Sequence, residues 1–255
     1  MSDPTVSMIL FLIGVGFVAA FVDSVVGGGG LIALPALLMT GIPPTLALGT
    51  NKLASTMGSL TSTLSFLRSG KINLKLVRYL FPLSLLGSAA GTYLVTKLPS
   101  EFLRPMVVVM LLLVTVYTLL KKNWGNQNTY QAATIRTTVF AAAVALVIGG
   151  YDGFFGPGTG SFLMFAFLLI GFDFVTAAGN AKALNFGSNI ASLITFAALG
   201  HVQYKYGLIM GASMIAGSLV GSQVAIRKGA SYVKPLFIAV SILLVGKQVW
   251  DLMHH

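Results

Sequence analysis

Four ionisable residues stand out because they lie within or beside long apolar stretches of the chain: Asp23, Lys52, Asp152 and Lys182. A charged side chain placed in lipid costs about 2.5–3.5 kcal/mol on insertion scales, and such residues usually serve a function. A lysine can bind an anion or pair with a carboxylate. The sequence therefore indicates an ion-handling site, a set of structural ion pairs, or both.

Small polar residues accompany both lysines at similar spacing, within Gly49-Thr50-Asn51-Lys52 and Gly179-Asn180-Ala181-Lys182. Hydroxyl and amide groups beside an ammonium group suit a ligand that carries acceptor oxygens. The alternatives are that each lysine extends to the membrane interface or pairs with an aspartate. The candidate side chains for anion binding are Thr50, Asn51, Lys52, Asn180, Lys182 and Asn185.

Two glycine-rich stretches, 27–30 and 156–160, add backbone donors to this hypothesis. If a short helix begins after each stretch, its first N–H groups have no intrahelical partner and attract anions. Neither stretch is followed by Lys-Ser or Lys-Thr, so a P-loop is excluded. The candidate backbone donors are Gly28, Gly29, Gly30, Gly158, Thr159 and Gly160.

Asp23 and Asp152 each precede one glycine-rich stretch. A membrane-embedded aspartate can accept a coupling proton or hold a lysine, and it can also cap the next backbone turn. These roles stay open at the level of sequence, and both residues are candidates for proton coupling.

The composition indicates that the surroundings of these residues are lipid. Of the 255 residues, 56% are hydrophobic and 9% are charged, whereas soluble domains carry about 25% charged residues. The net charge of +10 comes from basic residues in short loops, as in membrane proteins, so we expect no nucleic-acid partner. The chain has no cysteine, and no cluster of catalytic or metal-ligating residues is visible. We expect neither an enzyme nor a metal or cofactor.

Apolar segments recur along the whole chain, and two of them are short. A membrane-spanning helix needs about 20 residues, whereas 29–40 and 158–170 contain fewer. We therefore interpret 5–40 and 137–171 as glycine-broken helices or re-entrant hairpins, because broken backbone persists in a membrane only when it is buried in protein or lines a cavity. The other segments are 45–67, 79–96, 105–120, 175–199, 207–226 and 235–250.

The sequence also repeats itself at an offset of 130 residues. Of the nine glycines in 28–91, seven recur in 158–221, where random placement would give about one. Internal repeats are typical of transporters. We predict a single membrane domain with repeat one at 5–120, a basic linker at 121–136 and repeat two at 137–252.

Loop charges bear on the orientation of the two repeats. If both glycine-broken segments enter and leave on one side, ten basic residues face the cytoplasm and four face outward, with loop 68–78 inside. If both segments span the membrane, the division is nine against five. The first arrangement fits the positive-inside rule better. It predicts an all-α integral membrane protein of about six to eight transmembrane segments, built as two inverted-topology repeats.

The motifs described above resemble those of the sulfite exporter TauE/SafE family, and the resemblance runs along essentially the whole chain. It implies a multi-pass transporter in the cytoplasmic membrane of a bacterium or archaeon. It also implies sulfite, organosulfonates such as sulfoacetate or other small organic anions as substrates, with proton coupling. The matching stretches are Phe21-Val22-Asp23-Ser24 with its four glycines, Gly49-Thr50-Asn51-Lys52-Leu53, Tyr151-Asp152-Gly153-Phe154-Phe155-Gly156-Pro157-Gly158-Thr159-Gly160 and Ala181-Lys182-Ala183-Leu184-Asn185-Phe186.

Residues and resemblance together predict a secondary transporter with one anion site between the repeats, for import or for export. The alternatives are a passive anion channel, a transporter of a carboxylate, and a membrane module that transports nothing. The expected partners are a small anion and the lipid bilayer. Small-residue faces such as Gly87-x-x-x-Gly91 allow helix contacts within one chain or in a homodimer.

Overall fold

The computed structural model describes residues 5–99, 129–130 and 134–229, and these residues form α-helices without strands. The predicted segments 105–120 and 235–250 and most of the linker 121–136 lie outside the described residues. We number the helices α1 (Val6–Val26), α2 (Gly30–Met39), α3 (Pro44–Arg68), α4 (Leu74–Thr96), α5 (Ile135–Phe154), α6 (Thr159–Leu169), α7 (Phe174–Ala198) and α8 (Tyr204–Lys228).

The structure confirms the all-helical membrane fold, with helix starts that differ from the sequence prediction at α4 and α8. We expected the apolar segments to begin at 79 and 207, because charged residues precede them. The helix α4 instead begins at Leu74, where the Asn73 side chain accepts a hydrogen bond from the backbone N–H of Leu76. Its first turn includes the exposed Lys75. A charged residue is tolerated there because the end of a membrane helix reaches water.

Four helices among the described residues are long and apolar enough to cross a membrane: α1, α4, α5 and α8. The 25-residue helices α3 and α7 are long enough but carry many buried polar residues. Their polar side chains face the protein interior, as expected for membrane helices. α3 and α7 therefore form the centre of the bundle, and the more apolar helices surround them.

Contacts at equivalent positions show that α3 and α7 run in opposite directions. Gly49, near the start of α3, packs against the carbonyl group of His201, which follows α7. Gly179, near the start of α7, packs against the carbonyl group of Lys71, which follows α3. The start of each helix therefore lies beside the end of the other, so the central pair is antiparallel.

Helices α4 and α7 run in the same direction. The Ser84 hydroxyl donates to the carbonyl oxygen of Leu184, and the Ser88 hydroxyl donates to that of Ser188. Both partners advance by four residues, which is the register of a parallel pair.

Helices α1 and α8 also form a parallel pair. Gly217 packs against the backbone of Phe17, and Gly221 packs against the backbone of Phe21. Each glycine meets a carbonyl group where a β-carbon would collide, so the two helices approach closely through small residues.

Helix α3 is also parallel to α8, because Gly207 contacts Leu53 and Gly211 contacts Met57. Since α1 and α3 therefore run in the same direction, the short α2 carries the chain back between them. The glycine break after α1 is a chain reversal in this structure, with Gly29 packed against Ala19 and Asp23 of the preceding helix.

The repeated glycines fall into two groups that explain their recurrence. Gly41, Gly70, Gly171 and Gly200 have φ between 65° and 103°, a left-handed conformation that favours glycine after a helix. Three further pairs lie at close contacts, where a β-carbon would meet backbone atoms: Gly49/Gly179, Gly87/Gly217 and Gly91/Gly221. The sequence repeat is thus a repeat of turns and of close contacts.

Candidate functional site

Two buried ion pairs lie at the centre of the bundle, and each one joins the two predicted repeats. The Lys52 ammonium nitrogen is 2.9 Å from Asp152 Oδ1, and the Lys182 nitrogen is 2.7 Å from Asp23 Oδ2. The lysine of each repeat therefore pairs with the aspartate of the other repeat.

The lengths of the two breaks explain why the aspartates are one position out of register in sequence. Gly27 follows Asp23 by four residues, as Gly156 follows Asp152, and both glycines have positive φ, at 77° and 101°. The next matching glycine lies three positions after Gly27, at Gly30, but four positions after Gly156, at Gly160. The extra residue falls after the aspartate, so Asp23 and Asp152 occupy equivalent places.

The two glycine breaks contact each other directly. The backbone N–H of Ser161, at the start of α6, donates to the carbonyl oxygen of Gly27, and the Ser161 hydroxyl donates to the carbonyl oxygens of Val26 and Gly27. A β-carbon on Gly30 would lie 3.0 Å from the backbone of Pro157. The last carbonyl groups of α1 are therefore satisfied by the other repeat.

The lysine ammonium groups reach glycines of the second break. A β-carbon on Gly156 would lie 3.0 Å from the Lys52 nitrogen, and one on Gly160 would lie 3.2 Å from the Lys182 nitrogen. Each ammonium group thus lies against bare backbone of the second break. The positive ends of the short helices and the lysines therefore converge on one region.

A small cavity of about 30 Å³ opens beside the ion pairs, which is room for about two water molecules. Its walls come from both repeats and consist mainly of glycine, serine, asparagine and charged residues. The lining residues are Ala19, Ala20, Asp23, Gly29, Gly30, Asn51, Lys52, Ser55, Gly58, Ser59, Asp152, Gly156, Gly158, Thr159, Gly160, Asn185, Asn189, Met214 and Ser218.

The charges at this site balance, with two lysines against two aspartates. Both lysines and Asp152 are only 2% exposed, whereas the Asp23 side chain is 25% exposed. Asn189 Oδ1 accepts a further hydrogen bond from the Lys52 ammonium group at 3.2 Å, and the Gly29 N–H donates to Asp23 Oδ1 at 3.2 Å. Such close pairing offsets much of the cost of removing these charges from water.

The structure brings ten of the predicted site residues to the cavity wall and leaves four away from it. Lys182 is held behind Asp23, and Gly28 is not part of the wall. Thr50 and Asn180 accept hydrogen bonds from the backbone N–H groups of Gln203 and Asn73. The predicted residues on the wall are Asp23, Gly29, Gly30, Asn51, Lys52, Asp152, Gly158, Thr159, Gly160 and Asn185.

Thr50 and Asn180 hold the loops that follow the opposite central helix. Both are completely buried, and their side-chain oxygens are each used by a loop N–H group at 2.9 Å and 2.7 Å respectively. Because they occupy equivalent repeat positions, they form a second reciprocal contact between repeats. Their place in the structure is a loop contact beside the site.

Three residues of the cavity wall were not predicted from the sequence motifs: Asn189, Ser55 and Ser59. Each lies on the same helix face as a predicted residue, since Asn189 follows Asn185 by four positions and Ser55 follows Lys52 by three. Extending the candidate set along each helix face at this spacing would have found them. The other missed residues on the wall include Gly156 and Ser218.

The site presents one cation, amide groups and helix starts to a small polar cavity, which the apolar helices separate from lipid. Comparisons with known proteins agree with a membrane transporter. The "Sulfite exporter TauE/SafE" family model matches residues 12–247. No solved structure matches the chain at a significant level.

Similar proteins cover the chain almost completely. A protein of Sinorhizobium sp named "Probable membrane transporter protein ORF9" is 41% identical over 255 residues, which are 100% of this chain and 97% of the relative. A "Probable membrane transporter protein" of Haemophilus influenzae is 38% identical, with 98% and 97% covered. The Escherichia coli "Probable membrane transporter protein YfcA" is 33% identical, with 98% and 92% covered. The chain therefore belongs to the sulfite exporter TauE/SafE family and is a multi-pass membrane transporter.

Proposed function

We propose that this chain is a secondary transporter of a small anion, with sulfite or an organosulfonate such as sulfoacetate as its substrate and with proton coupling. The observation that carries the proposal is the pair of reciprocal Lys–Asp bonds beside one polar cavity. The cavity lies where the two glycine breaks meet, between the two halves of the bundle.

Several groups at the cavity favour an anion. Lys52 provides a cation on the wall, and Lys182 provides a second one behind Asp23. Asn51, Asn185 and Asn189 add amide groups, and the first residues of α2 and α6 lie on the same wall, where the positive end of a helix favours an anion. A small tetrahedral or pyramidal oxyanion presents acceptors in several directions, which matches donors that arrive from different helices.

The charge balance supports proton coupling. An anion that takes the place of Asp23 or Asp152 on its lysine leaves a carboxylate without its partner in a poorly hydrated site, which is costly. A proton on that carboxylate removes the cost, so proton and anion bind better together than separately. Asp23 is the more accessible carboxylate; it contacts Lys182 and the Gly29 N–H, and Lys52 lies across the cavity. This linkage corresponds to symport.

The antiparallel central helices support inverted repeats that exchange access to the site between the two sides of the membrane. With loop 68–78 in the cytoplasm, as its basic residues predict, the bundle would lie in the cytoplasmic membrane of a bacterium or archaeon. Its apolar outer surfaces would contact the lipid bilayer. A homodimer is compatible with the small-residue faces but is not needed to complete the cavity.

A transport assay in proteoliposomes tests the substrate and the site. Purified protein should accumulate sulfite or sulfoacetate with saturable kinetics, and Lys52→Met and Lys182→Met, alone and together, should reduce anion affinity at least about tenfold. Lys75→Met, in the exposed first turn of α4, is the matched control and should transport normally. Because Lys52→Met leaves Asp152 unpaired, Lys52→Met with Asp152→Asn provides a variant without that buried charge.

Full anion affinity in a folded double-lysine variant would refute the site assignment. Flux that never saturates and follows only the membrane voltage would favour a passive anion channel. Uptake of simple carboxylates in preference to sulfite and sulfoacetate would keep the site but change the substrate class.

The coupling is tested by imposing a pH gradient across the same proteoliposomes. Anion accumulation should follow the proton gradient in the wild type and lose this dependence in Asp23→Asn. Asp173→Asn is the control, because Asp173 caps α7 outside the site. Accumulation that ignores the pH gradient in the wild type would exclude proton coupling.

A further inference from the structure

More residues line the cavity on one side of the ion pairs than on the other. Beyond the ion pairs, its wall continues along α3 through Ser55, Gly58 and Ser59, and along α8 through Ser218. We call the contact between α3 and α8 the first seam. The contact between α7 and α4 is its counterpart in the other repeat, and we call it the second seam. On the side of the second seam, the cavity wall includes Asn185 and Asn189 of α7 but no residue of α4.

Hydrogen bonds between helices close the second seam. The Ser88 hydroxyl on α4 lies 2.6 Å from both the carbonyl oxygen of Ser188 and the hydroxyl of Ser192 on α7. Thr92, one turn further along α4, donates to the Ser192 hydroxyl at 3.0 Å, and Ser84, one turn earlier, donates to the carbonyl oxygen of Leu184. All four hydroxyl-bearing residues are completely buried.

Equivalent hydroxyl groups in the first seam make different bonds. Ser62, the counterpart of Ser192, bonds to carbonyl oxygens of its own helix, at Gly58 and Ser59. Ser222, the counterpart of Thr92, bonds to the carbonyl oxygen of Leu219 in its own helix. The same positions that connect two helices in the second seam are therefore used within one helix in the first.

We infer that the two seams are the two halves of one transport pathway, with the first seam the accessible half and the second seam closed by the Ser84–Ser88–Thr92–Ser192 ladder. The inference rests on the proposed transport function and assigns the gates of that function. In the opposite state the ladder opens and the hydroxyl groups of the first seam bond across α3 and α8. The lysine pairs lie between the seams in both states.

Hydroxyl ladders suit a gate that must open in every transport cycle. Each hydroxyl can rotate from a bond across the seam to a carbonyl oxygen of its own helix, so opening leaves no buried donor without an acceptor. The net stability of such bonds in membranes is modest. Hydroxyl groups also offer hydrogen bonds to a polar substrate on its way through.

The direction of each half follows from the helices that form it. From Lys52, the first seam leads towards the end of α3 and loop 68–78, which its basic residues assign to the cytoplasm. From Lys182, the second seam leads towards the end of α7 and the loop at 200–203, which is predicted to lie outside. The structure is therefore the state with access from the cytoplasm.

The cysteine-free sequence makes this assignment testable by thiol labelling. Ser55→Cys places a reporter in the first seam, and Ser188→Cys places one in the second seam, where the ladder uses the Ser188 backbone oxygen and not its side chain. A small, membrane-impermeant methanethiosulfonate is added to right-side-out and to inverted vesicles. The reporter at 55 should react only from the cytoplasmic side, and the reporter at 188 only from outside and much more slowly.

Opening of the ladder is tested by Ser88→Ala in both reporter backgrounds. Loss of two bonds across the second seam should raise the labelling rate at 188 from outside about three- to tenfold and lower the rate at 55. Ser222→Ala is the matched control, because Ser222 bonds within its own helix; it should not raise labelling at 188.

Labelling of both reporters from the same side would overturn the assignment, as would equal rates at 55 and 188 without Ser88→Ala. The side of labelling and the relative rates at 55 and 188 can be measured without a known substrate and without the Ser88→Ala variant. Sided labelling without anion flux would refute the proposed substrate and keep the seams, whereas coupled flux with unsided labelling would refute the seams alone.

Discussion

The two central ion pairs have the same geometry but different surroundings. Lys52 and Asp152 are both nearly inaccessible, and the Lys52 ammonium group also donates to Asn189 Oδ1. Asp23 is a quarter exposed at the cavity wall, whereas its partner Lys182 is buried behind it. The two pairs thus occupy equivalent positions, but Lys52–Asp152 is a sealed pair and Lys182–Asp23 is an accessible one.

The difference can be traced to single positions. Asn189, which accepts a hydrogen bond from Lys52, has Ser59 as its counterpart in the other repeat, and serine has no amide group to offer Lys182. The pair that includes Asp152 therefore gains a hydrogen bond at its lysine, whereas the pair that includes Asp23 gains one at its carboxylate and is the more exposed of the two. We expect the sealed pair to matter most for stability and the accessible pair to matter most for coupling.

The largest expected effect is on stability when one lysine is removed. Lys52→Met should lower the free energy of unfolding by about 3–5 kcal/mol, because it leaves the carboxylate of Asp152 buried without a partner. Lys182→Met should cost clearly less, since water reaches the carboxylate of Asp23. Thermal unfolding of the detergent-solubilised protein measures both.

A double variant, Lys52→Met with Asp152→Asn, checks the cause of that loss. It removes the unpaired charge and should recover part of the stability. Equal losses for the two single lysine variants would show that the two pairs do not differ in the way their exposure indicates.

The second prediction concerns the helix contact that positions Asp152. Gly91→Ala on α4 should destabilise the protein by about 1–3 kcal/mol, because its β-carbon would collide with the carbonyl group of Gly150 on α5. Gly150→Ala is the control on the facing helix, where the nearest atom would lie 3.5 Å away, and it should be nearly neutral. Unfolding temperatures that fall equally in both variants would contradict this.

The sequence predicted the parts of the molecule that depend on local composition. Apolar segments, glycine breaks and recurring glycines each have a local cause, and the structure places helices, turns and close contacts at them. The lysines also lie at the centre, because a charged residue within an apolar membrane segment faces the bundle interior or a polar cavity.

The parts that depend on the packing of one repeat against the other were not predictable. Asp23 and Lys52 lie in the same predicted repeat and line the same cavity, yet Asp23 binds Lys182 of the other repeat, because the two glycine breaks contact each other. For the same reason, Thr50 resembles a ligand-binding residue in sequence but bonds to the Gln203 N–H of the other half. The partner of a polar side chain is set by the fold, and spacing along the chain does not reveal it.

The third prediction separates the two pairs by their effect on the anion. Asn189→Ala removes the amide that holds the Lys52 ammonium group and should weaken anion binding by about 1 kcal/mol. Ser59→Ala, at the counterpart position, should have a smaller effect, because the Ser59 hydroxyl bonds to the Ser55 carbonyl oxygen of its own helix. Binding can be measured by calorimetry in detergent. A larger effect of Ser59→Ala would reverse the assignment of the two sides.

The smallest expected effect concerns the second break, just beside Asp152. The Tyr151 hydroxyl donates to the carbonyl oxygen of Pro157 at 2.6 Å, whereas the counterpart in the first repeat is Val22, which has no hydroxyl group. Tyr151→Phe should therefore cost about 1 kcal/mol of stability and leave the ring contacts with Phe155 and Phe162 in place. Tyr93→Phe, at an exposed site on α4, should cost nothing. If Tyr151→Phe were equally neutral, the Tyr151 hydroxyl bond would not be what stabilises the second break. The difference between the two breaks would then have to come from the Ser161 contacts alone.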